Sequence, residues 1–153
     1  MSSKFVYVTY IRTSPQQLWD ALTKPEFIRH YWWPGMTQES DWKPGASWRL
    51  KFSNGRIADE GEVLEFIPPR RLVLKWRNEI SAELKAEGET LCVYDLQQEG
   101  DVVKLTITHS SERDNAKIIE AVSGGWPRVL SSLKSFLETG EPLAETAKWP
   151  EGL

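Results

Sequence analysis

Hydrophobic and polar positions change their period several times along the chain. Residues 4–12, KFVYVTYIR, are β-branched and aromatic and predict a strand. From Thr13 the period turns helical, with Leu18, Trp19 and Leu22 on one face, Ser14 placed to cap and Pro15 suited to the first turn. Pro25 ends that helix and opens a second short one carrying Phe27, Ile28 and Tyr31, which Pro34-Gly35 stops.

Five strand candidates follow. ASWRLKFS alternates, with Trp48, Leu50 and Phe52 on one face and Arg49 and Lys51 on the other, and Asn54-Gly55 makes a hairpin turn. RIADEGEVLEFI comes next, closed by Pro68-Pro69. RLVLKWR aligns Leu72, Leu74 and Trp76, and ETLCVYDLQQ aligns Cys92, Tyr94 and Leu96. After Gly100-Asp101, VVKLTITHS aligns Val103, Leu105, Ile107 and His109. Short connections and one polar face predict an antiparallel meander, wet on one side.

From about Asp114 the apolar residues Ile118, Val122, Trp126, Val129, Leu133 and Phe136 recur at helical steps. They predict a long amphipathic helix, ended by Gly140 and Pro142. Pro127, inside Gly124-Gly125-Trp126-Pro127, predicts a kink or short break there. Residues 1–142 read as one domain, and 143–153 lack periodicity and are expected to be a mobile tail. Such an order suits an α+β fold in which a single sheet covers its apolar face with the last helix.

Composition adds one unusual feature. The chain is 40% hydrophobic and 27% charged, which places it among ordinary globular domains, yet it carries eight tryptophans. Tryptophan suits heavy cores and apolar ligand sites alike. Net charge is −3 with no basic face, which argues against nucleic acid, and no polybasic anchor points to a membrane. The N-terminus has no signal-peptide pattern, and a cytoplasmic protein is expected. The single cysteine, Cys92, excludes an internal disulfide and reads as a buried, inert thiol. Neither a metal nor a cofactor pattern is present.

The motifs TSPQQLWDALTKPE, DWKPGASWRL, GEVLEFIPPRRLVLKW, KLTITHS and SGGWPRVLSSLKSFLETG occur in this order. Together they resemble the homologues of the activator of the heat-shock-protein-90 ATPase, within the START/Bet v 1-like (SRPBCC) superfamily. The resemblance spans roughly residues 4–142. It implies a helix-grip fold, with a curved antiparallel sheet of six to seven strands around a long C-terminal helix and two short helices after the first strand. It also implies a mostly apolar cavity, a role in stress response, and a heat-shock chaperone as a candidate partner. Some relatives are cyclases or hydrolases. The eukaryotic activator carries a further N-terminal domain, whereas this sequence opens at the strand, so the resemblance alone does not imply chaperone activation.

Residues on inward faces or near the presumed mouth are Trp33, Trp48, Leu50, Trp76, Tyr94, Ile107, His109 and Trp126. Apolar walls with few polar handles suit a small hydrophobic ligand, lipid-like or aromatic. Binding is favoured over catalysis, with a cyclase- or hydrolase-like enzyme and a chaperone ATPase activator as alternatives. His109 reads in three ways: a neutral imidazole satisfied by the backbone, a polar anchor, or the one candidate general base. His30 reads as a cation at a helix C-terminus. By simple alternation Glu60 and Glu62 share a face opposite Glu65; an exposed wet face is the default for so charged a strand, and either Glu62 or Glu65 is the acid that a pocket could admit. The aromatic run Tyr31-Trp32-Trp33 is expected to close one end of the cavity, as core and mouth together.

Overall fold

A computed structural model describes residues 2–146. Its first strand, β1 (Ser3–Ile11), leads into helices α1 (Pro15–Thr23) and α2 (Pro25–Tyr31). The Ser14 hydroxyl caps α1 by accepting the Gln17 N–H at 3.2 Å. Strands β2 (Thr37–Ser40), β3 (Ser47–Lys51), β4 (Ile57–Ile67) and β5 (Arg71–Asn78) follow. A short helix, α3 (Ala82–Ala86), precedes β6 (Thr90–Glu99), β7 (Val102–Ser111) and the long α4 (Lys117–Thr139).

The strands form one antiparallel sheet in the order β1-β7-β6-β5-β4-β3-β2. Its curved inner face grips α4, giving the helix-grip arrangement expected. The inward rows are those read from alternation: Trp48 and Leu50, Leu72, Leu74 and Trp76, Cys92, Tyr94 and Leu96, and Val103 through His109, all buried. From α4 they meet Trp126, Val129, Leu130 and Leu133. Each such side chain fully buried contributes roughly 1.5–3 kcal/mol.

Two elements were not legible as periodicity. Strand β2 is only four residues, TQES, and forms by pairing with β3, Gln38 opposite Leu50. Helix α3 has no buried residue and is held by its caps. Ser81 Oγ accepts the Leu84 N–H, and Asn78 Oδ1 accepts the Ile80 and Ser81 N–H groups. Just beyond α3, the Glu87 carboxylate accepts the Lys117 and Ile118 N–H groups at 3.1 and 3.0 Å. These bonds hold the Glu87 carboxyl below the usual carboxylate range and tie this loop to the start of α4.

No break occurs at Pro127, because α4 is continuous through Gly124-Gly125-Trp126-Pro127. Gly140, in the left-handed region at φ 88°, ends it with an N–H bond to Phe136 O. Part of the expected tail folds back on α4: Leu143 N–H donates to Ser132 Oγ, and Arg128 donates to Glu145 O. The rest of that tail, 147–153, lies outside the described residues. Among the described residues, no helix is long and apolar enough to cross a membrane.

Candidate functional site

The centre of the fold is a continuous aromatic network. Trp48 lies 4.5 Å from Trp76 between ring centroids, Trp76 lies 5.7 Å from Trp126, and Tyr94 stands edge-on to Trp126 at 5.8 Å. Trp32 joins it, 5.8 Å from Trp126, and Trp33 follows Trp32 at 6.4 Å. So the run that opens into Pro34-Gly35 is both core and rim. Tyr31 is buried with its hydroxyl donating to Ala21 O, and His30 stacks on Phe136.

A buried indole N–H needs an acceptor, and three of these indoles have one of their own. Trp48 Nε1 donates to Gln38 Oε1 at 2.8 Å, and Gln38 in turn donates to Leu22 O. Trp76 Nε1 donates to Asp59 Oδ1 at 2.9 Å. Trp126 Nε1 donates to His109 Nδ1 at 3.2 Å. Trp32 Nε1 differs: it is buried with no hydrogen-bond partner among the described residues.

His109 is fully buried, and its bonds fix its tautomer. Thr90 Oγ1 donates to Trp76 O, so it must accept from His109 Nε2–H at 2.7 Å. The proton therefore sits on Nε2, and the Nδ1 lone pair takes the Trp126 N–H. Burial depresses the imidazole pKa to about 3. Of the three roles open to His109, its geometry matches a neutral, doubly bonded imidazole, with a side-chain hydroxyl and an indole in place of a backbone carbonyl. What it does here is hold Trp126 in place.

Between α4, the residues that follow α2 and the end of β5 lies an inner chamber of about 110 Å³. Trp32, Trp33, Trp76 and Trp126 wall it, with Asp59 and Asn78 as its polar residues. It continues into an outer mouth of about 400 Å³ bounded by Leu84, Gly124 and Arg128, with Trp33, Ile80 and Gly125 common to both spaces. A larger groove of about 550 Å³ lies by α1, where Trp42 stacks on Phe66 at 5.9 Å. Its lining carries the half-buried or exposed charges Asp20, Lys24 and Glu39, and its buried polar residue, Thr23, already donates to Trp19 O.

That anchor, Asp59, escaped the sequence reading. Straight alternation along β4 offers Glu62 or Glu65 to a pocket, but β4 does not alternate straight. Its register on β3 skips Ala58, so Leu50 faces Asp59 and Trp48 faces Gly61. A second skip between Val63 and Glu65 resets the phase again. As a result Glu60, Glu62 and Glu65 all lie on the outer face, where Glu60 pairs with Arg49 and Arg77 and Glu65 with Arg71. Asp59 turns inward and is only 8% exposed. Burial, opposed by its bond to Trp76, raises its pKa to about 7. The available signal was Gly61, a glycine inside a strand. A Cβ there would fall 1.8 Å from Lys75 O, so only glycine lets β4 press against β5 at the Trp48–Trp76 contact.

Of the residues singled out from the sequence, Trp33, Trp76 and Trp126 line the chamber. Trp48, Leu50, Tyr94, Ile107 and His109 lie within the surrounding core, all buried. Cys92 is buried, and burial pushes its thiol pKa up, as it does for Tyr94. The polar lining residues that the sequence reading left unnamed are Asp59 and Asn78, whereas Trp32 belongs to the aromatic run expected at the mouth.

No curated protein matches the chain. Several solved structures do. CalU16 from Micromonospora echinospora is 20% identical with a TM-score of 0.73, over 95% of this chain and 82% of that one. The Aha1 dimer from Colwellia psychrerythraea is 20% identical with a TM-score of 0.70, over 90% of this chain and 98% of that one. PFC0360w, an HSP90 activator from Plasmodium falciparum, is 20% identical with a TM-score of 0.70, over 91% and 97%. At these identities the likeness speaks for the shared fold. The match of residues 12–138 to the family described as Activator of Hsp90 ATPase homolog 1-like protein covers most of the chain, from the end of β1 to the end of α4, and the chain belongs to that family.

Proposed function

We propose that the protein binds a small, mostly apolar molecule, with its deepest part in the indole-walled chamber and its remainder in the mouth. The observation that carries this reading is the pair Gly124-Gly125. Two glycines inside α4 cost roughly 1 kcal/mol each relative to alanine, yet a Cβ at either position would meet nothing within 4 Å. Packing does not demand them. Both line the mouth, and Gly125 also lines the chamber, so what they leave is clear space. The chamber alone is small because indoles fill the centre of the fold. With the mouth of about 400 Å³ it falls within the roughly 300–1,000 Å³ usual for ligand sites.

The test is a titration with an apolar fluorescent dye, alongside native mass spectrometry of the freshly purified protein. Saturable dye binding or a discrete added mass is expected. Gly125→Leu should abolish the dye signal while α4 becomes no less stable, because leucine is the better helix former. Binding unchanged by Gly125→Leu would sink the reading.

A second reading, contact with a chaperone, is supported by the similarity to an HSP90 activator. The outer face of β1 also exposes an apolar row, Val6, Val8 and Tyr10. It predicts stimulation of a chaperone ATPase that Val8→Lys removes. An ATPase rate unchanged at saturating protein would exclude it.

A further inference from the structure

The chamber wall combines a carboxylate and several indoles. Asp59 makes no ion pair among the described residues. Its partners are two neutral donors, Trp76 Nε1 at 2.9 Å and Asn78 Nδ2 at 3.4 Å, and both reach the same oxygen, Oδ1. The Asn78 amide is fixed in that orientation, since its own oxygen already accepts the Ile80 and Ser81 N–H groups. The neighbouring cations are engaged elsewhere: Arg56 donates to Ile80 O and lies over the Phe52 ring, Arg77 pairs with Glu60 and Glu79, and Lys85 pairs with Glu79. A carboxylate set into an apolar wall without a counter-ion is costly, and a ligand that brings the counter-ion relieves that cost.

The indoles around it suit a cation as well. Trp76 and Trp126 meet at 64°, Trp32 and Trp126 at 80°, and Trp32 and Trp33 at 69°. All four rings line the chamber, and an indole there can offer its π-system to an ammonium group. The volume sets the scale. At roughly 30 Å³ per water-sized group, the 110 Å³ chamber holds a head of a few heavy atoms, and the mouth takes an apolar body.

We propose that the ligand is a small amine, its protonated nitrogen held between Asp59 and the indole faces and its apolar portion lying in the mouth. This rests on the ligand-binding reading above. An uncharged aromatic or lipid-like ligand would leave Asp59 without a counter-ion, whereas an amine uses both features of the wall. The titratable groups around Asp59 are Glu79, which raises its pKa further, Tyr94 from β6, and His109, which is kept neutral beside Trp76. No described one of them competes as a cation.

The probes are phenethylamine and its uncharged analogue 2-phenylethanol, each titrated by tryptophan emission and calorimetry. The amine should bind at least about tenfold tighter than the alcohol, the scale of a desolvated cation–π contact joined to a charge-assisted bond. In Asp59→Asn, which keeps an acceptor for Trp76 Nε1, that ratio should fall to about one. The wild-type protein gives an independent readout that needs no variant. Since only the ionised carboxyl serves the amine, its affinity should rise about tenfold from about pH 6 to about pH 8, and the alcohol's should not. Equal binding of the two probes at every pH, with the apolar dye still bound in a Gly125-dependent way, would overturn the amine assignment and leave the cavity reading intact. Failure of the dye as well as the amine would overturn both.

Discussion

His109 and Asp59 are the two buried titratable groups that flank Trp76, and their surroundings differ. The imidazole lies 5.3 Å from the Trp76 ring, with both nitrogens bonded, one to Thr90 and one to Trp126. The carboxyl takes the Trp76 N–H on one oxygen and stands in the wall of a chamber. One is a closed joint in the core, and the other faces space. Burial explains both pKa shifts, but only the second group remains placed to meet a ligand. Titration alone therefore does not mark a functional residue; the geometry around the group does.

The strongest way to break this contrast is His109→Ala. It opens a cavity at the centre of the fold and strands the Trp126 N–H, so unfolding free energy should fall by about 4 kcal/mol. Urea denaturation measures it. A loss below about 1 kcal/mol would mean that His109 is not the structural joint described here.

Next comes pH, where the two groups oppose each other. His109 has its pKa lowered from 6.5 to about 3, so the unfolded chain binds its proton more readily. Its contribution is complete above 6.5 and is lost as pH falls. Asp59 has its pKa raised from 3.8 to about 7, so the folded chain binds that proton more readily. Its contribution is present below 3.8 and is lost as pH rises. Between about 4 and 6.5 the two slopes, each about 1.4 kcal/mol per pH unit, cancel. Asp59→Asn should uncover the His109 slope, making stability rise with pH across that window by about 3 kcal/mol more than in the wild type. Parallel profiles for the two proteins would show that the carboxyl does not titrate as its burial demands.

The sequence reading succeeded where side chains repeat. Val103, Leu105, Ile107 and His109 follow a period of two without interruption, and α4 repeats its stripe for twenty-three residues. Both were legible because a packed face imposes its period on the chain. It went astray at Glu65 of β4, which the skipped pairing near Leu64 turns outward, while Asp59 keeps the inward phase of Gly61 and Val63. A bulge is decided by how a strand pairs, and pairing leaves little trace in one strand's own pattern. Helix α3 was missed for a related reason, since caps and not an apolar stripe hold it. Trp32 is a subtler case. Its aromatic run was conspicuous, but whether an indole N–H finds an acceptor depends on residues remote in sequence.

Trp126→Phe and Trp32→Phe turn that last point into a measurement. Both remove an indole nitrogen and some ring volume, and the phenyl ring keeps most of the aromatic contact. At Trp126 the change leaves the Nδ1 lone pair of a buried His109 unpaired, so a loss of about 2 kcal/mol is expected. At Trp32 the nitrogen removed is a donor that was already without a partner among the described residues, beside a chamber that already exists. Its removal relieves a desolvation cost that offsets the smaller packing loss, and the net change should stay within about 1 kcal/mol. Paired denaturation curves decide it. Equal losses at the two positions would mean that the indole nitrogens are interchangeable and that the chamber rim is ordinary core. A small change at Trp32 beside a full loss at Trp126 would show that only the bonded indole acts as a structural joint.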